Sequence, residues 1–123
     1  MNSFYEKSNP NENIQVGDLI SLKDDNTVIR SYQNYNKRPD TRIIGVCVDV
    51  IDNQIEVQQE GIVTINIVGL SSIGSLVTAS EIPGKARVLK YEQEQRMFNI
   101  RSIGKIINLY NDLSKVDILL DIE

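Results

Sequence analysis

The stretch "RIIGVCVDVIDNQIEVQQEG", Arg42 to Gly61, constrains the fold of this chain more than any other. Ile44, Val46, Val48 and Val50 recur at every second position, and Ile55 and Val57 resume the pattern after Asp52-Asn53. Successive side chains of a strand point to opposite faces, so a period of two marks a strand with one apolar face. Asp and Asn favour tight turns because their short side chains bond the local backbone. The stretch therefore predicts a β-hairpin with Ile44, Val46, Val48 and Val50 on one face. Gly61 permits a break or bulge. "GIVTINIVGL" then predicts a strand with Val63, Ile65 and Ile67 on one face and Thr64 and Asn66 on the other.

The same grammar runs through the rest of the chain. "VGDLISLKDDNTVIRSY" predicts a hairpin with strands near 18–23 and 27–32 about Asp24, Asp25 and Asn26. Residues 33–42 read as a loop, with Arg38 held away from helix by Pro39. In "IGSLVTASEIPGKA" a short strand over Leu76–Thr78 leads to Pro83-Gly84, which suit the two central positions of a type II turn. "ARVLKY" follows as a strand, and 92–97 as a loop or one helical turn. Residues 104–111 have helical propensity, but "NDLS" turns the chain back at once and favours a strand. In the last segment Val116, Ile118, Leu120 and Ile122 point inward, and Lys115, Asp117 and Asp121 outward.

Aromatics make up 6% of the residues, so the core must come from Ile, Val and Leu, whose branched side chains suit pleated surfaces. The expectation is an all-β domain over 16–123, a small barrel or sandwich, preceded by a flexible polar arm over 1–15. The arm's only large apolar handles are Phe4 and Tyr5. It is either a disordered start or a clamp that orders against a neighbouring subunit.

Two pairs of segments echo each other. "VGDLISL" (16–22) matches "IGSLVTA" (73–79), and "IIGVCVDV" (43–50) matches "SIGKIINL" (102–109). Gly17 precedes Gly45 by 28 positions and Gly74 precedes Gly104 by 30. These pairs predict two pseudo-repeated β-units packed together.

The chemistry of the residues argues against an enzyme. There is no histidine and one cysteine, Cys47, so the chain holds no Ser-His or Cys-His nucleophile, no ordinary zinc site and no internal disulfide. Gly84-Lys85 is followed by Ala86 rather than Ser or Thr, which fails the phosphate-loop pattern. Asp24 and Asp25 read as solvated turn acids, without the ligand series of a calcium loop. No catalytic residue, cofactor or metal is expected. A net charge of -4 argues against general attraction to nucleic acid or anionic membrane. No apolar run is long enough to span a bilayer, and the N-terminus lacks a signal-peptide pattern. "RSYQNYNKRPDTR" places Arg30, Lys37, Arg38 and Arg42 around Tyr32 and Tyr35. Basic residues among aromatics can track a single strand, but Tyr and Arg are equally the favoured residues of protein contacts. The candidate contact residues are Phe4, Tyr5, Tyr32, Tyr35, Lys37, Arg38 and Arg42.

The order "VGDLISL", "IIGVCVDV", "IEVQQEGIVTINIVG", "IGSLVTASEIPGKA", "SIGKIINL", "KVDILLDI" resembles a small β-domain of phage virions, found in head decoration proteins and in beads of tail fibres. The second unit carries Ser75 where that pattern has Asp. The resemblance implies no catalytic residues. It implies a virion structural protein on the capsid surface, made in the host cytoplasm, with the major capsid protein or another virion protein as partner. It also implies a homo-oligomer, a trimer first. Beginning with Met and being short, the chain is expected to be a decoration protein rather than a fused bead. A tail, baseplate or fibre accessory protein, and a small nucleic-acid-binding β-barrel, are the alternatives.

Overall fold

With one exception near the N-terminus, strands form where period-two apolar residues predict them, and turns where Gly, Pro, Asp and Asn interrupt them. The computed structural model describes residues 2–33, 42–89 and 102–122. The strands are β1 (Ser3–Lys7), β2 (Leu19–Leu22), β3 (Thr27–Arg30), β4 (Ile43–Ile51), β5 (Gln54–Gln58), β6 (Glu60–Asn66), β7 (Leu76–Ala79), β8 (Ala86–Val88), β9 (Gly104–Leu109) and β10 (Lys115–Asp121). The fold is all-β. β1-β3-β2-β4-β5 close a barrel, and β6-β10-β9-β7-β8 form a second five-stranded sheet.

The two halves repeat one topology. β2 pairs antiparallel with β3 and β4, and β4 with β5. β7 pairs antiparallel with β8 and β9, and β9 with β10. The first strand of each half lies antiparallel to the last: β1 on β5, β6 on β10. The first strand or its extension also meets the third strand in parallel, β1 over Glu6–Thr27 and Lys7–Val28, and Ile67, the residue after β6, through a single bridge to Ala86.

The likeness extends to single hydrogen bonds. The Asp18 N–H donates to Gln15 O at 3.1 Å, and the Ser75 N–H to Ser72 O at 3.2 Å. Both turns carry a left-handed glycine, Gly17 at φ 92° and Gly74 at φ 91°. Gly17 N–H donates to Cys47 O and Gly74 N–H to Ile106 O, each at 2.8 Å. β4 and β9 shift register at matching places, leaving Val48 and Ile107 as the extra residues. At Gly45 an added Cβ would strike the Gln58 carbonyl, and at Gly104 it would lie 2.5 Å from Leu119 O. Only glycine lets these strands cross so closely.

Two apolar clusters hold the molecule. One fills the barrel: Ile14, Ile20, Val28, Cys47, Ile55 and Val57, with Tyr5, Leu22, Ile44 and Val50 against it. The other lies on the inner face of the second sheet around Ile65, Val77, Ile106 and Ile118. It also takes in Leu19 and Val46 from the first half, with Ile43 and Val48 packed on it. The outward side of β2 and β4 therefore covers the open side of the second sheet.

Three expectations change. The arm over 1–15 is not free: Ser3–Lys7 is a barrel strand and Ile14 is a core residue. Phe4 and Tyr5 alternate there, Phe4 outward and Tyr5 against the barrel core. Ile44, Val46, Val48 and Val50 do not share a face. The irregularities in β4 send Ile44 and Val50 into the barrel and Val46 and Val48 to the second cluster. Asn66 is buried rather than outward with Thr64, because it sits where the first half meets β6. The strand chosen over a helix at 104–111 is β9, and Val116, Ile118 and Leu120 are buried as expected.

Candidate interaction surface

The motif "IGSLVTASEIPGKA" is the first place to look for chemistry, and its polar groups are spent on structure. Pro83-Gly84 forms the expected turn, with Gly84 at φ 82° and the Lys85 N–H donating to Ile82 O at 3.1 Å. Ser80 Oγ donates to Lys85 O at 2.7 Å and accepts the Ile82 N–H. Against this turn lies the buried side chain of Asp18, from the first half of the repeat. A Cβ on Gly84 would fall 2.6 Å from Asp18 Cγ. Asp18 Oδ2 accepts the Gln15 N–H at 2.9 Å, and Oδ1 accepts Asn66 Nδ2 at 3.1 Å. Leu19 N–H donates to Gly84 O, Gly84 N–H to Ser31 O and Gln33 N–H to Ser80 O. Arg87 donates to Gln33 Oε1 from Nε and Nη2. Asp18 and its neighbours thus fasten the two halves together.

The anticipated contact residues are scattered. Phe4, 60% exposed, lies opposite Glu56 on the outside of the barrel. Arg42 is exposed beside the β2–β3 hairpin, where its carbonyl accepts the Leu22 N–H. Through its other neighbour, Glu56, Phe4 is level with Asp49, seven residues along from Arg42, so the register does not bring Phe4 and Arg42 together. Tyr32 is exposed at the other end: Ile20 pairs with Arg30, which sets Tyr32 level with Asp18. Tyr5 is half-buried on the barrel core. Tyr35, Lys37 and Arg38 lie outside the described residues, as does most of the 33–42 loop. Among the placed residues, the register brings no two of Phe4, Arg42 and Tyr32 together.

A surface the sequence reading missed lies on the second sheet. On the outward side of β6, β10 and β9, Ile62 and Leu119 pair across the strands and are 64% and 49% exposed. Ile107, at the β9 bulge, is exposed beside them. The next row holds Thr64, Asp117 and Asn108. Asp117 Oδ1 accepts Thr64 Oγ1 at 2.6 Å and the Tyr110 hydroxyl at 2.7 Å, and Oδ2 accepts Asn108 Nδ2 at 3.2 Å. Burial pushes this carboxyl up, but the three hydrogen bonds outweigh it and hold it below its ordinary value. The sequence signal for this face was "KVDILLDI", where Leu119 takes an outward position in an otherwise alternating strand. A lone outward Leu is ordinary on a protein surface. Only cross-strand register shows that it meets Ile62.

The Asp117 carboxylate is held by three neutral donors, one of them the Tyr110 hydroxyl, and hydrogen bonds to its charged form make it a weak base. Cys47 is equally unsuited to nucleophilic work. Burial pushes its thiol up to about 11, so it stays protonated at neutral pH. Among the described residues no group of three or more His, Cys, Asp or Glu is placed to hold a metal ion. No protein-family model, curated protein or solved structure matches the chain.

Proposed function

We propose that the chain is a non-enzymatic structural protein of a phage virion, attached to the outer surface of the capsid as a homo-oligomer, a trimer first. The observation that carries this reading is the use made of the motif that resembles phage virion domains. Its glycines, hydroxyls and facing acid hold a doubled β-unit together. An architecture of two interlocked β-units with an outward apolar face suits a subunit that works by surface contact.

Immunogold labelling of purified particles tests the reading. Label distributed over the head is the expected result. Label confined to the tail or fibres would favour the accessory-protein alternative. Particles free of the chain would overturn both. Light scattering coupled to size exclusion gives the oligomeric state, with three copies expected. Truncation of residues 1–12 is a poor probe of attachment, because it removes a barrel strand. Single substitutions at Phe4 and at Arg42 leave that strand in place and test contact at each position separately.

A further inference from the structure

We propose that the outward face of β6, β10 and β9 docks a protein surface with an apolar centre and an Arg or Lys side chain opposite Asp117. This rests on the virion reading and names the surface through which attachment is made.

The repeat supplies an internal control. Phe4 pairs with Glu56 as Thr64 pairs with Asp117. Two residues back along the first strand and two on along the last, the first half carries Asn2 and Gln58. The second half carries Ile62 and Leu119 at those positions. The fold is therefore satisfied by amides there, and the exposed pair is not a demand of the architecture. Ile107 tells the same story from the other side. Its counterpart Val48 packs on the second sheet's core, so in the first half this position is covered by protein.

Charge selects the partner. Glu60 and Asp121 pair at one end of the face, and Asp117 stands near its middle. Lys105 lies across from Leu119, and Lys115 two residues before Asp117. Yet among the described residues the partners of Asp117 are Thr64, Asn108 and Tyr110, and none is a cation. Asp117 thus keeps its charge on neutral donors alone. Covering such a carboxylate without a cation is costly, whereas an Arg or Lys from the partner compensates its desolvation. A second copy would offer this face three acids and two lysines, no excess of cations to meet Asp117, which disfavours self-docking.

The test uses the full chain on purified particles. Leu119→p-benzoylphenylalanine is irradiated in place, and the linked peptide is identified by mass spectrometry. The expected product joins it to another virion protein, at an apolar segment carrying Arg or Lys. The double change Ile62→Asn with Leu119→Gln installs the residues of the first half, so the melting temperature should hold. Occupancy on particles should fall at least about tenfold, as for loss of two central apolar anchors. Asp117→Asn should weaken attachment and flatten its salt dependence. Unchanged occupancy of the double variant, or a link to a second copy of this chain, overturns the proposal. If linking succeeds only from position 4 or 32, the face is wrong while the virion reading stands. If the unaltered chain is absent from particles, both fall.

Discussion

Asp18 is the residue on which the two halves depend most. Its carboxyl bonds the Gln15 backbone and the Asn66 side chain, and its bulk fits only because position 84 lacks a Cβ. Asp18→Ala would leave a buried amide donor unpaired, at a cost of about 1–3 kcal/mol. Asp18→Asn should cost less, and chemical denaturation separates the two. Gly104→Ala should destabilise by about 1–3 kcal/mol, because a Cβ would meet the backbone carbonyl of Leu119 rather than a movable side chain. Cys47 offers a pH test. The folded thiol titrates near 11 against an ordinary 9.0, so the folded state binds this proton more tightly than the unfolded state. The linked stability is full below 9.0 and lost as pH rises toward 11. At pH 8 the native protein should resist alkylation while denatured protein reacts; equal rates would contradict this. The strand period and the turn at Pro83-Gly84 were legible residue by residue. Asp18 as a fastener was not, since nothing local shows that it meets a turn some sixty residues away.

At the scale of elements, the repeat was half visible. The glycine-bearing turns and the strands after them echo in sequence, so β2 with β7 and β4 with β9 could be matched by eye. β1 and β6 could not. "SFYEK" is polar, while "EGIVTIN" is rich in Ile and Val, although both take the same place beside the last strand of their half. The reason is burial. One side of β6 lies on the shared core, whereas β1 offers mainly Tyr5 to the barrel. A polar strand that pairs through its backbone looks like a loop when only side chains are read. Removing residues 1–7 should therefore expose the β5 edge and abolish the cooperative melting transition in circular dichroism. An unchanged melt would show that β1 is dispensable. β4 misled in the opposite way. A continuous apolar run allows two buried faces as well as one, and its bulges exchange them.

For the whole molecule, the shared core makes the halves unequal. The first half closes its own barrel, but the second needs Leu19 and Val46 to cover its inner face. The full chain should unfold in one transition, and residues 60–122 alone should fail to give a dispersed amide spectrum. A well-dispersed spectrum from that fragment would show that the second sheet needs no cover. The most direct measurement of the central claim is cryogenic imaging of purified particles, with and without the chain. The account predicts additional compact density, large enough for copies of a 13.9 kDa β-domain, at regular positions on the outer capsid lattice. Identical capsid maps, with density appearing only at the tail or nowhere, would contradict it.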